Sequence, residues 1–162
     1  MGLMNCNQKI VIVYASVTGN TQAVAEILTE RFRTVGFLPD VCEINHFDVN
    51  ELKRYDIVVI GTYTWGSGEV PAEIQELFEA FEKLERPELV TAVFGTGDSF
   101  FSEFCGAVNR FRDMLYVHTN LAATLKIELM PQETDLVRCQ KFVEAVARRL
   151  VDTDKMRKRK AT

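Results

Sequence analysis

Apolar residues recur along this chain in two rhythms. Short unbroken runs at residues 10–15, 57–61 and 89–95 have the length and β-branched content of strands buried on both faces. A weaker run at 41–44 and a segment within 121–130 read as two further strands. Between them the apolar spacing changes to three and four. Ala23, Val24, Ile27, Leu28 and Phe32 predict a helix over 21–35, closed by Gly36. A second helix begins near Pro71, a residue favoured at the first helical position, and runs to about residue 84. A third covers about 104–115. The last, over 133–151, puts Leu136, Val137, Phe142, Val143, Val146, Ala147 and Leu150 on its apolar side. Residues 152–162 offer only Met156 to a core and read as a frayed, basic tail. Strands alternating with helices predict an α/β architecture in one domain over residues 1–151. It is a doubly wound, five-stranded parallel sheet of order 2-1-3-4-5 with helices on both faces.

In that order a ligand sits past the carboxyl ends of the strands, at the switch between strands one and three. The loops there carry the candidate chemistry. Strand one runs into Ser16, Val17, Thr18, Gly19, Asn20 and Thr21, immediately ahead of a helix. Unpaired N–H groups at a helix N-terminus, four neutral side-chain donors and a Gly that lets the backbone come close make a phosphate site. The same residue types also serve as ordinary helix caps. No Lys or Arg lies between Ile10 and Glu30, so a phosphate here is held by dipoles and hydrogen bonds. The turn matches neither GxxxxGK[ST] nor GxGxxG. Strand three leads into Thr62, Tyr63, Thr64, Trp65, Gly66, Ser67 and Gly68; strand four leads into residues 96–106 with Asp98, Phe100, Phe101, Phe104 and Cys105. Aromatics beside glycines at a switch point suit a flat aromatic ligand held by stacking. Each has a plainer reading: Trp65 as a core residue closing the sheet, Phe104 as helix packing, Asp98 as a turn residue, Cys105 as a small buried one.

Composition narrows the classes. At 162 residues and 47% hydrophobic the chain can bury a full core, and no apolar run approaches a membrane span. The four cysteines form no CxxC pair and there are two histidines, which argues against structural zinc and for reduced thiols in a cytoplasm. The first eight residues lack the pattern of a secretory signal, and Met1-Gly2 lacks the Ser or Thr that myristoylation wants at position 6. Net charge is −4, split as +3 over 152–162 and −7 over the rest. An acidic body argues against nucleic acid as a partner and for basic protein surfaces, and the lack of a long apolar run argues against a membrane. Carboxylates at 69, 73, 76, 79, 82, 85 and 88 read as a solvated helix face or as a docking rim. The basic tail serves solubility, contacts an acidic partner or folds back on the body.

With these three loops in order, the chain resembles the bacterial flavodoxins of the short-chain type over about residues 9–150. The carriers are residues 16–21, the Gly61-Thr-Tyr-Thr-Trp-Gly stretch reaching Pro71, Phe94-Gly-Thr-Gly-Asp-Ser, Glu103-Phe-Cys-Gly-Ala-Val, and Leu125-Lys-Ile-Glu-Leu. The resemblance implies a flavodoxin-like fold, one noncovalent FMN and a low-potential one-electron carrier rather than an enzyme. It implies phosphate contacts at Ser16, Val17, Thr18, Gly19, Asn20 and Thr21. Tyr63, Thr64, Trp65 and Gly66 match the loop on the inner face of the flavin. Asp98, Phe101 and Cys105 match the outer loop. Phe101 stands where the family commonly has a stacking Tyr, and Ser67 where many members have an acid. Each negative charge at ~10 Å from a reduced flavin anion costs roughly 0.4–1.7 kcal/mol, which lowers the potential. Gly66 can turn its peptide so that its carbonyl meets a proton on flavin N5. The implied partners are a ferredoxin/flavodoxin reductase as donor and a redox enzyme as acceptor, meeting a cytoplasmic monomer. The alternative is an FMN-dependent two-electron NAD(P)H:quinone or nitro reductase on the same fold. A receiver domain needs acids at the end of strand one, and Tyr14-Ala15-Ser16 has none.

Overall fold

Period-two alternation along the strands feeds two apolar layers. The computed structural model describes residues 7–161, so the N-terminal expectations for Met1-Gly2 and Cys6 lie outside the described residues. Strands β1 (Ile10–Tyr14), β2 (Asp40–Glu43), β3 (Ile57–Tyr63), β4 (Val90–Gly97) and β5 (Asn120–Glu128) pair in parallel in the order β2-β1-β3-β4-β5. Ile10, Ile12, Ile57, Val59, Ala92 and Phe94 turn to one face, where α1 (Asn20–Thr34) and α4 (Glu133–Ala161) cover them. Val11, Val13, Val58, Ile60 and Val93 turn to the other, under α2 (Gln75–Glu82) and α3 (Gly106–His118). Central strands covered on both faces have no solvent side, which is why they read as unbroken apolar runs. Fully burying each such Val, Leu, Ile or Phe contributes about 1.5–3 kcal/mol. α1 packs through Val24, Ala25, Leu28 and Phe32, and α4 through Phe142, Val143, Val146, Ala147 and Leu150. The five strands and their order are as the sequence predicts.

Several boundaries differ, each for a local reason. Pro71 precedes a 3-10 turn, Ala72–Ile74, and α2 starts only at Gln75. α3 starts at Gly106 and not near Phe104, because Cys105 takes a left-handed conformation (φ 52°) that no helix continues through. Two further 3-10 turns, Ile44–His46 and Val49–Arg54, fill the link from β2 to β3, where the sequence shows no long periodicity. The largest difference is at the end of the chain. The tail expected to fray from Asp152 continues α4 as helix to Ala161, anchored where Asn120 Nδ2 donates to the buried Thr153 Oγ1 at 2.9 Å.

The exposed edge at β5 is blunted from α4. Arg149 Nη1 donates to Leu121 O at 2.9 Å and to Asn120 Oδ1 at 2.7 Å, and Arg138 Nη2 donates to Lys126 O at 2.6 Å. Guanidinium groups on edge carbonyls discourage another strand from pairing there. No described helix is long and apolar enough to cross a membrane.

Candidate functional site

Parallel strands deliver their following loops to one end of the sheet, and three of these loops enclose a cavity of about 320 Å³. Its wall is made by Val17, Thr18 and Asn20 after β1; Tyr63, Thr64 and Gly66 after β3; and Thr96, Gly97, Asp98, Phe101, Glu103 and Cys105 at and after β4. Leu129, just beyond β5, closes it. The volume lies within the range of small-ligand sites. Among the described residues, Asp98 and Glu103 are the only carboxylates in this wall, and no Lys or Arg lines it.

The β1 loop keeps its amides available. The first four N–H groups of a helix have no intrahelical acceptor. At α1, Ser16 Oγ takes that of Gln22 at 3.3 Å, which leaves those of Gly19, Asn20 and Thr21 for a ligand. Gly19 has φ 90°, which bends the chain into the helix. The hydroxyl of Thr21 is not available. It is buried against Thr96 Oγ1 at 2.8 Å, so Thr21 offers only its backbone. Ser16, Gly19, Thr21 and Trp65 lie outside the cavity wall itself, and the other nine predicted residues line it.

The β3 and β4 loops hold each other. Trp65 and Glu69 exchange backbone hydrogen bonds of 3.0 and 2.7 Å across a turn that passes through Gly66 at φ 52° and Gly68 at φ 97°. Gly68 then lies against Gly106, where a Cβ would come within 2.6 Å of the Gly68 Cα. Arg110 Nε donates to Gly68 O at 2.8 Å, and Ala107 N–H donates to Thr64 Oγ1 at 3.3 Å. Asp98 acts as a turn residue as well as wall: its Oδ1 accepts the Phe100 N–H at 2.9 Å. Ser99 Oγ donates to the Glu128 carboxylate, and Leu129 N–H donates to Gly97 O at 2.8 Å, tying the β5 loop to the same rim.

Around this rim three aromatic rings are exposed: Trp65 at 62%, Phe101 at 64% and Phe100 at 93%. The core reading of Trp65 is therefore set aside, while Phe104 does pack on the apolar layer under α2 and α3. Tyr63 differs. Burial, then a hydrogen bond to Glu73 and that carboxylate's charge, push its phenol up to about 12. It stays neutral and serves as wall. Burial likewise pushes the Cys105 thiol up to about 11, so it is a wall atom and not a nucleophile. Thr96, Gly97, Glu103 and Leu129 were not predicted as contacts. The first three belong to a loop already marked by position, whereas Leu129 has no sequence signal beyond following a strand.

A flat ring with a phosphate arm fits this chemistry. The amides suit an anion, the wall is largely uncharged, and exposed aromatic faces stand at its mouth. Comparison with known proteins agrees. A family model described as Flavodoxin matches residues 12–139. A Bacillus subtilis (strain 168) protein named "Probable flavodoxin 1" is 41% identical over 138 residues, covering 83% of this chain and 87% of that one. The solved structure of Flavodoxin 2 from Bacillus cereus superposes with TM-score 0.81 at 36% identity, covering 86% of this chain and 98% of that one. A Streptococcus pneumonia TIGR4 flavodoxin gives 0.80 at 34%, covering 85% and 97%. On sequence, fold and site together, the chain belongs to the flavodoxin family, FMN-binding proteins that carry electrons and are not enzymes.

Proposed function

We propose that this chain holds one FMN in the cavity beyond β1, β3 and β4 and passes single electrons at low potential from a reductase to a redox enzyme. The observation that carries this reading is the pairing of a cation-free amide loop with exposed aromatic rings around one cavity. FMN, when bound, supplies the one-electron chemistry through its ring system. The amides of Gly19, Asn20 and Thr21, with the hydroxyl of Thr18, hold the phosphate without neutralising it. Trp65 and Phe101 cover ring faces and keep water off them. Asp98 and Glu103 in the wall, with Glu69 and Glu73 beside it, disfavour added negative charge and so lower the potential. With FMN bound, the Gly66 carbonyl, on the cavity wall, would accept a hydrogen bond from a proton at flavin N5. The acidic row docks a basic partner weakly, as an electron carrier needs, and the protein works as a cytoplasmic monomer.

Titration of the apoprotein with FMN and with riboflavin tests the reading. FMN fluorescence is expected to quench to an end point of one per chain, with riboflavin far weaker because it lacks the phosphate. Equal affinity for the two would remove the phosphate loop from the account.

A further inference from the structure

The turn that follows β3 is held at nearly every peptide. On one flank Thr64 Oγ1 accepts the Ala107 N–H at 3.3 Å. At the neck, Trp65 N–H donates to Glu69 O at 3.0 Å and Glu69 N–H to Trp65 O at 2.7 Å. Trp65 O also accepts the Gly68 N–H at 3.2 Å. The last carbonyl of the turn, Gly68 O, accepts from Arg110 Nε at 2.8 Å. Taken in order, the Trp65–Gly66 peptide is fixed through its carbonyl, Ser67–Gly68 through its N–H, and Gly68–Glu69 through both ends. Among the described residues of this turn, only the Gly66–Ser67 peptide makes no hydrogen bond at either end.

We infer that Arg110 is a positioning residue for this turn. It confines rotation to the Gly66–Ser67 peptide, and so to the carbonyl that the proposed function assigns to flavin N5. The consequence for the flavin rests on that reading; the hold on the turn does not. A helical spacing builds the contact. Gly106 and Arg110 are four residues apart in α3, so they share one face. Gly106 has no side chain, and Gly68 takes the space, since a Cβ on Gly106 would lie 2.6 Å from the Gly68 Cα. A long side chain on a helix leans back over the preceding turn, so Arg110 reaches the backbone that Gly106 admits. Gly68 is also close to Glu103, whose Cβ lies 2.9 Å from where a Gly68 Cβ would stand. A cationic donor on a carbonyl makes a hydrogen bond about twice as strong as a neutral one. Without it the Gly68–Glu69 peptide keeps only the bond of its N–H, and Gly68, at φ 97°, has the backbone freedom to swing. Rotation would then be shared between two peptides, and the Gly66 carbonyl would face the cavity less often. Arg110 is exposed, so water and salt screen its charge, and its effect on the turn comes through the hydrogen bond.

Two substitutions separate the bond from the charge. Gln carries its amide nitrogen on Cδ, where Arg carries Nε, so Arg110→Gln keeps a donor and loses the charge, whereas Arg110→Met loses both. In the apoprotein, hydrogen–deuterium exchange at the Gly68 and Glu69 amides should rise roughly ten-fold in Arg110→Met, the scale of one lost hydrogen bond, and stay near wild type in Arg110→Gln. Amides of the central strands should exchange alike in all three proteins. In the FMN-loaded protein, spectroelectrochemistry should show a narrower gap between the two one-electron potentials in Arg110→Met than in Arg110→Gln. Loss of charge is common to both variants and cancels in that comparison. Equal exchange in Arg110→Met and wild type would overturn the proposal, as would a rise shared by the central strands or equal gaps in the two variants. If the wild-type chain takes up no FMN, the cofactor reading fails, and exchange in the apoprotein alone decides whether Arg110 holds the turn.

Discussion

Cys105 links the wall of the cavity to the stability of the fold. Its thiol ionises near 9 in an unfolded chain and near 11 in the native one, because burial disfavours the thiolate. Between those values the native state holds more protons than the unfolded state, so this contribution is complete below pH 9 and is lost as pH rises towards 11. In the folded protein at pH 8, Cys105 should resist iodoacetamide and label only on unfolding; rapid labelling of the native chain would contradict its burial. Phe101 acts through its ring alone. Phe101→Ala should weaken FMN by about 1–3 kcal/mol, by analogy with a base stacked on an aromatic, while Phe101→Tyr changes little. An unchanged FMN affinity in Phe101→Ala, read by fluorescence titration, would mean that the ring does not cover the flavin. At this scale the sequence was informative about backbone positions and poor about side chains. Thr21 looks like a hydroxyl donor to phosphate, but its partner is Thr96, 75 residues away, and no local pattern encodes that pairing.

The elements that frame the site depend on two glycines meeting between loops. Gly106→Ala puts a methyl group against the Gly68 backbone and wedges the start of α3 from the Trp65–Glu69 turn. It should cost about 1–3 kcal/mol, read as a lower Tm, and weaken FMN binding in parallel. A variant that keeps both would show that the loops part without consequence. Gly66 is the complementary case. Its φ of 52° suits Gly, and Glu69 Oε2 lies 3.6 Å from where a Cβ would stand. Gly66→Ala should hinder rotation of the peptide and narrow the gap between the two one-electron potentials, measured by spectroelectrochemistry. Strands and loops were legible because a strand buried on both faces leaves an unbroken apolar run and parallel topology dictates which loops gather. The 3-10 turns at Ile44–His46 and Val49–Arg54 were not, being too short for a period. The end of α4 was missed for another reason: apolar periodicity stops where the sheet stops, while the helix continues on its own hydrogen bonds.

Across the molecule, the acidic row spans both poles, with Glu69 and Glu73 flanking the cofactor side and Glu88 beside Arg157 at the far end of α4. Association with a basic reductase should weaken steadily as salt rises from low to physiological strength, mainly through the on-rate. A salt-independent on-rate would remove the acidic row from docking. The order of the sheet, the cavity at its switch point and the uncharged phosphate loop all serve one claim, that the chain moves electrons singly. Anaerobic stepwise reduction of the FMN-loaded protein, followed by absorption, tests that claim most directly. The account predicts two separated one-electron steps, with a distinct long-wavelength absorbing form at half reduction. A single step from yellow to colourless, with no such form, would contradict it.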